Sequence, residues 1–381
     1  TIPISRKVNL LKKPAARTGI MVVDKRSRLK QWLESGAASL HLPTFPQREL
    51  WDASPVPPSD ASNNICTVTT VKGPVSRELC EKAIAMVVEK QEVLRLSILP
   101  GKNGPVQLVK KTGEAAVRFR LEDSDVTAQE IQDLIDSLIR TPFDLVAGPL
   151  YRVEIIRRSE NEHILVLVIH HAIADGWTLG VFMTDLFTAY ASLILGVHGG
   201  LEPVLQSYSE WGAVDRNLWL PKDIRARQPF WVKQLCGAER LFTAPEAVPD
   251  DPGRRGRWVS EMGGGTIELL RKLSVSVGAT LFSTMLAAFQ VLMARTTGKN
   301  DILVGSPVAQ RNKKASWETM GYFAGIVPLR SIIDPSRTFA EQVAETHHET
   351  LNSFANAIPF LELVKCLEEP VTLGRNPVFD V

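Results

Sequence analysis

The sequence predicts an α/β protein made of two halves of similar size that pack around a shared cleft. A chain of 381 residues is longer than one hydrophobic core usually supports, so two domains are expected. Residues 164–169 are six consecutive apolar residues, which indicates a strand buried on both faces. Both halves also present a helix, a buried strand and a polar turn in similar order, although no sequence repeat is visible.

Helices and strands alternate through the first half. Residues 65–71 alternate and are β-branched, which predicts a strand. Ser76 is a suitable N-cap for a helix that ends near Lys90, because apolar residues recur there at helical spacing. Further strands are predicted at 93–99, 105–110, 116–121 and 151–156, and helices at 127–140 and 178–195.

A segment near residue 200 contains glycines and a proline, which indicates a boundary in the chain. The second half then repeats the alternation of helices and strands. Helices at 208–219 and 224–235 form a crossover, and 245–257 is predicted as a surface loop rich in Pro, Gly and charge. Strands are then predicted at 258–267, 302–308 and 321–330. A long apolar helix lies within 274–294, and a helix over 336–363 breaks at Pro359.

Residues 1–40 carry an excess of Lys and Arg and are predicted to be a solvated basic linker or tail, with a docking surface for an acidic partner as the alternative. We therefore expect three segments: the linker at 1–40, an N-terminal subdomain at 41–205 and a C-terminal subdomain at 206–381. We call the two subdomains the first and second halves. The second half is expected to be truncated at its C-terminal end.

The composition is that of a soluble globular protein, with 44% hydrophobic and 23% charged residues. A net charge of +2 argues against a general nucleic-acid binder. Four scattered cysteines argue against a disulfide framework or a zinc site and fit a reducing cytosol. We find no run near the roughly 18 apolar residues that span a bilayer and no signal-peptide core, so a cytoplasmic location is expected.

The chemistry is predicted where the buried strand ends in His170 and His171 and a turn with Asp175 and Gly176 leads into a helix. Adjacent strand residues point to opposite faces, so only one histidine can face a given cavity. A histidine there can accept a proton and return it, which is typically worth about 10²–10⁴ in rate. The alternative is a purely structural role, in which both histidines lie in the core and their ring nitrogens are hydrogen-bonded. Asp175 in a buried place needs a cationic partner.

Other kinds of site are less well supported by the residues. Two histidines and a carboxylate could form part of an iron site, but adjacent strand residues diverge and no metal is expected. His347 and His348 lie in a polar helical stretch and are predicted to be a solvated helix face. The Gly263–Gly265 run lacks the pattern of a phosphate loop, and no serine-hydrolase elbow is present.

Residues 170–176 (HHAIADG) match the HHxxxDG motif of condensation domains of nonribosomal peptide synthetases, which related acyltransferases and epimerases share. Other segments resemble those of the condensation family in the same order. They are 47–51 (QRELW), 90–95 (KQEVLR), 208–211 (YSEW), 305–311 (GSPVAQR), 320–323 (MGYF), 359–364 (PFLELV) and 375–379 (RNPVF). The ordered set is far more specific than the motif alone.

The resemblance implies two halves that are each similar to chloramphenicol acetyltransferase and form a V-shaped pseudo-dimer with a central tunnel. Phosphopantetheine arms of an upstream and a downstream carrier protein would enter from opposite ends. The acceptor's α-amine would attack the donor's thioester, giving an amide and a free thiol. No cofactor would be held by the domain itself. The expected partners are carrier proteins and adjacent synthetase domains, with no nucleic acid and no membrane, and the expected state is a monomer.

The resemblance also implies roles for single residues. His171 is the catalytic histidine, either as a base or by positioning the amine. Asp175 pairs with Arg311 of the other half and, with His170, supports the site. Gly176 either offers its N–H to the developing oxyanion or, as the alternative, is a plain turn glycine. Three residues are assigned to the tunnel lining: Trp177, Ser306 and Gly325.

Several positions depart from the family pattern, and two other functions stay open. Glu49 stands where the family often has Arg or Met, and Gln91 replaces the usual His. Gly325 replaces a frequent Asn, and Ala355 and Ala357 replace polar residues. One alternative is a starter or free-standing acyltransferase that uses fatty acyl-CoA or an acyl carrier, or a hydroxyl acceptor. The other is a non-catalytic recruitment module of the same fold. An epimerase fits residues 177–180 and the segment from Met320 less well.

Overall fold

The computed structural model describes residues 19–53, 61–113, 115–121, 127–197, 200–242, 260–367 and 376–381. Up to residue 205, the elements in chain order are α1 (Gly19–Glu34), β1 (Ala38–His41), α2 (Phe45–Ala53), β2 (Asn64–Lys72), α3 (Arg77–Lys90), β3 (Leu96–Gly101), β4 (Gly104–Lys110), β5 (Val117–Leu121), α4 (Ala128–Arg140), β6 (Tyr151–Ser159), β7 (Glu162–His170) and α5 (Gly176–Leu195).

The second half continues with α6 (Tyr208–Leu218), α7 (Pro221–Leu235), α8 (Gly264–Ser276), α9 (Leu281–Thr297), β8 (Asp301–Val308), β9 (Gly325–Ile332), α10 (Phe339–Ala355) and α11 (Phe360–Leu367). The described strands form three sheets with the orders β1-β4-β3, β2-β7-β6-β5 and β8-β9. Strands β5 and β6 are parallel, and the other pairs are antiparallel.

Strand β7 is the centre of the four-stranded sheet and ends at the histidine pair. It is hydrogen-bonded to β2 on one side and to β6 on the other. Val166, Leu167, Val168 and Ile169 are completely buried. The prediction of a strand buried on both faces is therefore confirmed, because an uninterrupted apolar run suits a strand covered on both sides.

Local polar contacts start the helices that support the site. Ser76 caps α3 by accepting from the Leu79 N–H, as predicted. Thr127 and Glu130 form a capping box at the start of α4. Asp175 caps α5 by accepting from the Thr178 N–H, so the acidic residue of the motif also fixes where the helix begins.

Two hydrophobic cores hold the chain together. The first core lies around β6, β7, α3 and α5, and it also contains Tyr208, Trp211, Met320 and Phe323 from the second half. The second core lies around β8, β9, α7, α9 and α11. The second half therefore completes the core of the first half, and a division at residue 205 stays a prediction.

Several predicted elements differ from the structure. The strand predicted at 258–267 is wrong where it overlaps α8, because Ile267, Leu270 and Leu273 recur at a spacing of three and lie half-buried on one helix face. The long apolar helix predicted within 274–294 is α9 from Leu281 onwards, whereas residues 274–276 end α8, and the two helices are bent by 105° at the break between them. Residues 92–95 form a 3-10 turn before β3, and residues 321–324 are a loop before β9. The loop predicted at 245–257 lies outside the described residues.

Two expectations about the ends and the membrane also differ. Within the segment predicted as a linker, α1 is helical and β1 pairs with β4.

Helix α5 is long and apolar enough to cross a bilayer, with a mean hydropathy of 1.5, and α8 and α9 pass only as one bent span. The expectation of no such run was therefore wrong for α5. Core helices of soluble proteins pass the same criterion, and α5 packs on α3 with Asp185 paired to Lys90.

Candidate active site

The two histidines at the end of β7 face different surroundings, as predicted. The His170 ring stands edge-on to Phe143 with centroids 6.2 Å apart, and its Nδ1 accepts from the Ala172 N–H at 3.1 Å. His170 is almost fully buried in the first half. The His171 ring lies against Tyr322 of the second half, with centroids 4.4 Å apart. His171 is therefore the histidine at the seam between the halves.

A backbone hydrogen bond fixes the position of His171, and burial changes the pKa of its ring. Its backbone N–H donates to the Asn63 carbonyl at 2.7 Å, which extends the pairing of β7 with the β2 side by one residue. Burial lowers the pKa of His171 below 6.5, and nearby Asp175 partly opposes this shift. The imidazole is therefore neutral near pH 7 and has a lone pair that can accept a hydrogen bond or a proton.

Asp175 connects the motif to the second half through both carboxylate oxygens. Oδ1 accepts from Thr178 N and Oγ1, each at 2.9 Å, and from Arg311 Nη2 at 3.3 Å. Oδ2 accepts from Phe323 N at 3.1 Å. Both side chains of the ion pair are buried. The predicted cationic partner of Asp175 is therefore confirmed as Arg311.

Residues 311–324, which we call the crossing loop, run from Arg311 to the start of β9 and cover this site. Side chains at the site hold its backbone at successive positions. Arg311 Nη1 donates to the carbonyls of residues 316 and 319, and Trp177 Nε1 donates to that of residue 317 at 2.9 Å. Thr178 Oγ1 contacts both N and O of Gly321 at 3.1 and 2.8 Å.

The hydroxyl of Tyr208 completes this set of contacts by donating to the Tyr322 carbonyl at 2.9 Å and meeting Thr44 Oγ1 at 3.0 Å. Gly321 is needed here because a Cβ would lie 2.2 Å from the Tyr208 ring. These contacts fix the backbone on both sides of Tyr322. The crossing loop therefore determines where the Tyr322 ring meets His171.

Glu49 adds a titratable group at another contact between the halves. Its Oε1 accepts from the Leu361 N–H at 3.0 Å, at the N-terminus of α11. Burial raises the pKa of Glu49 to about 7, and backbone hydrogen bonds at Leu361 and Phe360 oppose the shift. Burial also raises the pKa of Tyr322, with the Glu49 charge adding to the effect. The departure at Glu49 thus gives the chain a contact between its halves whose charge changes near neutral pH.

The other predicted site residues have different degrees of exposure. Gly176 is the exposed first residue of α5, and Trp177 is half exposed beside Trp317. Ser306 is buried in β8 opposite Val327. Gly325 begins β9, where the Gln310 side chain occupies the space that a Cβ would need. Their contacts with substrate stay predictions.

The tunnel itself also stays a prediction. Five of the cavities in the described part of the chain have volumes of about 430 to 940 Å³, and these five are lined by residues other than His171. Among the same residues, no cluster of three or more His, Cys, Asp or Glu could hold a metal ion.

The second pair of adjacent histidines, His347 and His348, agrees only partly with the prediction of a solvated helix face. His348 is exposed, but His347 is half-buried and its Nδ1 lies 2.9 Å from Ser283 Oγ. The prediction of a solvated face was therefore wrong for His347, because α10 packs this residue against α9.

Sequence reasoning did not find the roles of Tyr322, Thr178 and Gln91. Tyr322 is the variable position of the MGYF segment, so the segment was matched without assigning that residue a contact. Thr178 directly follows the motif and Trp177. Each of the three contacts a chain segment more than 140 residues away, as between Thr178 and Gly321, where the separation is 143 residues. Only the assembled fold shows them.

The chain is similar to known proteins in sequence and in fold. The family model for the condensation domain matches residues 41–381. Linear gramicidin synthase subunits B and D of Brevibacillus parabrevis are 32% and 30% identical over 90% and 89% of the chain. The chain spans about 7% of the length of each of these relatives.

Solved structures share the fold at lower identity. The X-domain from teicoplanin biosynthesis is 22% identical, with a TM-score of 0.76 over 89% of this chain and 76% of that chain. The condensation domain of the Monacolin K polyketide synthase MokA is 19% identical, with a TM-score of 0.75 over 90% and 78%. The predicted fold class is confirmed. The chain belongs to the condensation domain family.

Proposed function

We propose that this domain joins an acyl or peptidyl thioester donor to the α-amine of an aminoacyl acceptor, both carried by carrier proteins, with His171 as the catalytic residue. The proposal rests on one observation above all. The His171 ring lies at the seam of the two halves, against Tyr322, while its neighbour His170 is buried in the first half.

In the proposed reaction the amine nitrogen attacks the thioester carbonyl. A C–N bond forms, the C–S bond breaks, and the amine proton leaves through His171 Nε2 to the departing sulfur or to solvent. An α-amine has a pKa of about 8, so a useful share is already neutral near pH 7. His171 therefore orients the amine and accepts its proton late in the step.

The start of α5 supplies the proposed oxyanion site. The first N–H groups of a helix have no partner within the helix, and Gly176 is the exposed first residue of α5. Asp175 fixes that turn by capping the helix and pairing with Arg311. A rigid N–H at this place can stabilise negative charge on the carbonyl oxygen as the tetrahedral intermediate forms.

The proposed partners are an upstream and a downstream carrier protein, whose phosphopantetheine arms carry the two substrates, together with neighbouring synthetase domains. The gramicidin synthase relatives support this assignment, since each is a synthase subunit far longer than this chain. A free fatty acyl-CoA donor and a hydroxyl acceptor are the alternatives within the same chemistry.

The test is a direct assay of bond formation. The domain is incubated with an aminoacyl-loaded acceptor carrier and either a loaded donor carrier or an acyl-CoA, and products are weighed by mass spectrometry. The proposal predicts an amide product from the donor carrier that is lost in His171→Ala. Product from acyl-CoA alone favours the starter reaction, and no product with either donor contradicts catalysis and favours a recruitment module.

A further inference from the structure

Gln91 reaches from the first half to the crossing loop with its whole amide group. It is the buried C-cap residue of α3. Its Nε2 donates to Asp185 Oδ2 at 2.8 Å and to the Glu318 carbonyl at 2.9 Å. Its Oε1 accepts from the Met320 N–H at 2.9 Å. Both amide protons and the carbonyl oxygen are therefore used.

The orientation of this amide is fixed by its neighbours. A flipped amide would place its oxygen against the Asp185 carboxylate and the Glu318 carbonyl, and its NH₂ against the Met320 N–H. Asp185 is itself held by Lys90 Nζ at 2.8 Å, in an ion pair whose two side chains are 8% or less exposed. The hydrogen bond from Gln91 to Asp185 therefore holds the Gln91 amide in place.

Only Gly321 separates Met320, which Gln91 contacts, from Tyr322, whose ring contacts His171. Met320 precedes Gly321, whose N and O both meet Thr178 Oγ1 and which lies so close to the Tyr208 ring that a Cβ would clash with it. Tyr322 follows directly, and its ring contacts His171. A shift of the backbone at residues 318–320 must therefore be passed to the Tyr322 ring.

We infer that Gln91 is a positioning residue for the condensation reaction. Its amide fixes residues 318–320 of the crossing loop and thereby holds Tyr322 against the His171 imidazole. This inference rests on the proposed function, since it requires His171 to act in the reaction. At this position the chain departs from the family, whose usual His has two ring nitrogens and cannot supply two donors and one acceptor while neutral.

Gln91→Glu tests the inference because it keeps the shape of the side chain and makes its hydrogen bonding depend on pH. As a carboxylate, the new side chain is repelled by the Asp185 carboxylate and the Glu318 carbonyl oxygen and donates no hydrogen bond. As a neutral acid it donates one O–H and still accepts from the Met320 N–H. We expect kcat to fall on the order of 10- to 100-fold at pH 8, with KM little changed, and the ratio to wild type to recover as the pH is lowered to 6.

Gln290→Glu is the matched control. Gln290 is equally buried, and its Nε2 donates to the Leu329 carbonyl at 3.2 Å, in β9 outside the crossing loop. Its kcat ratio to wild type should show no recovery at low pH when assayed well below its melting temperature. Gln91→Met, which cannot ionise, should lose kcat equally at pH 6 and pH 8, and it replaces Gln91→Glu if that variant does not fold.

A second measurement does not depend on turnover. The ring resonances of His171, assigned with the His171→Ala variant, should shift in the Gln91 variants and stay in place in Gln290→Glu. Unshifted resonances together with a flat pH ratio would overturn the inference. If His171→Ala keeps full turnover, the proposed function fails instead, and the resonances still show whether Gln91 positions the ring.

Discussion

The rings of His171 and Tyr322 lie in contact across the two halves of the chain, with centroids 4.4 Å apart and planes at 59°. One ring belongs to the residue directly after β7 in the first half, and the other belongs to the crossing loop of the second half. The orientation of the imidazole therefore depends on how the halves meet. This dependence leads to predictions for the loop, the ion pair and the titrating groups.

Replacing Tyr322 tests the ring contact itself. Tyr322→Leu removes the aromatic face, and contacts of this kind contribute about 0.5–1.5 kcal/mol beyond the buried area. We expect kcat to fall roughly tenfold, while Tyr322→Phe, which keeps the ring, stays near wild type. The measurement is the turnover of loaded carriers by folded protein. Equal turnover of the Leu and Phe variants would contradict a role for the ring.

The buried pair of Asp175 and Arg311 should control folding. Asp175→Ala or Arg311→Ala leaves one buried charge without its partner, which costs roughly 3–5 kcal/mol. Denaturant unfolding measures this change. The exposed pair Arg77 and Glu81 is the control, because breaking such a pair costs about 1 kcal/mol or less. Similar losses for the two pairs would show that the Asp175 contact is not structural.

Glu49 should make stability depend on pH with a definite sign. Its folded pKa is raised from 4.5 to about 7, so the native state binds the proton more tightly than the unfolded chain does. Its contribution is therefore fully present below about pH 4.5 and is lost as the pH rises through about 7.

Glu49→Gln removes this effect while keeping an oxygen that can accept from the Leu361 N–H. We expect the unfolding free energy of the variant, relative to wild type, to be higher at pH 8 than at pH 5. Unfolding curves at the two pH values provide the measurement. An equal difference at both values would mean that Glu49 does not titrate in this range.

The His171 ring should titrate below its ordinary value. Burial penalises the imidazolium, so the pKa is lowered from 6.5 despite the nearby Asp175 charge. An NMR titration of the ring, with resonances assigned from the His171→Ala spectrum, should give a midpoint below pH 6.5. A midpoint at or above that value would mean that the ring is solvated or strongly paired in solution.

Features set by local sequence were the ones that could be predicted. The apolar run of β7 and the cap at Ser76 act within a few residues, and they appear in the structure as expected. The pairing of Asp175 with Arg311 came from the family resemblance. Burial of Asp175 predicted a cationic partner without showing which residue it would be.

Features set by packing were not predictable in the same way. Helix α8 begins at Gly264 and Gly265, which are weak helix formers, and it packs on α9 instead of continuing a strand. The contact between Gln91 and Met320 joins residues 229 apart in sequence. No periodicity or spacing encodes such a contact, so the arrangement around the His171 ring had to come from the structure.

Turnover of the His171→Ala variant tests the central claim most directly. The wild-type and variant domains are given the same loaded donor and acceptor carriers, and the amide product is measured against time after circular dichroism has shown that both are folded. If His171 is the catalytic residue, the variant folds and its rate is lower by about 10²–10⁴. A folded variant that forms product at the wild-type rate would contradict it.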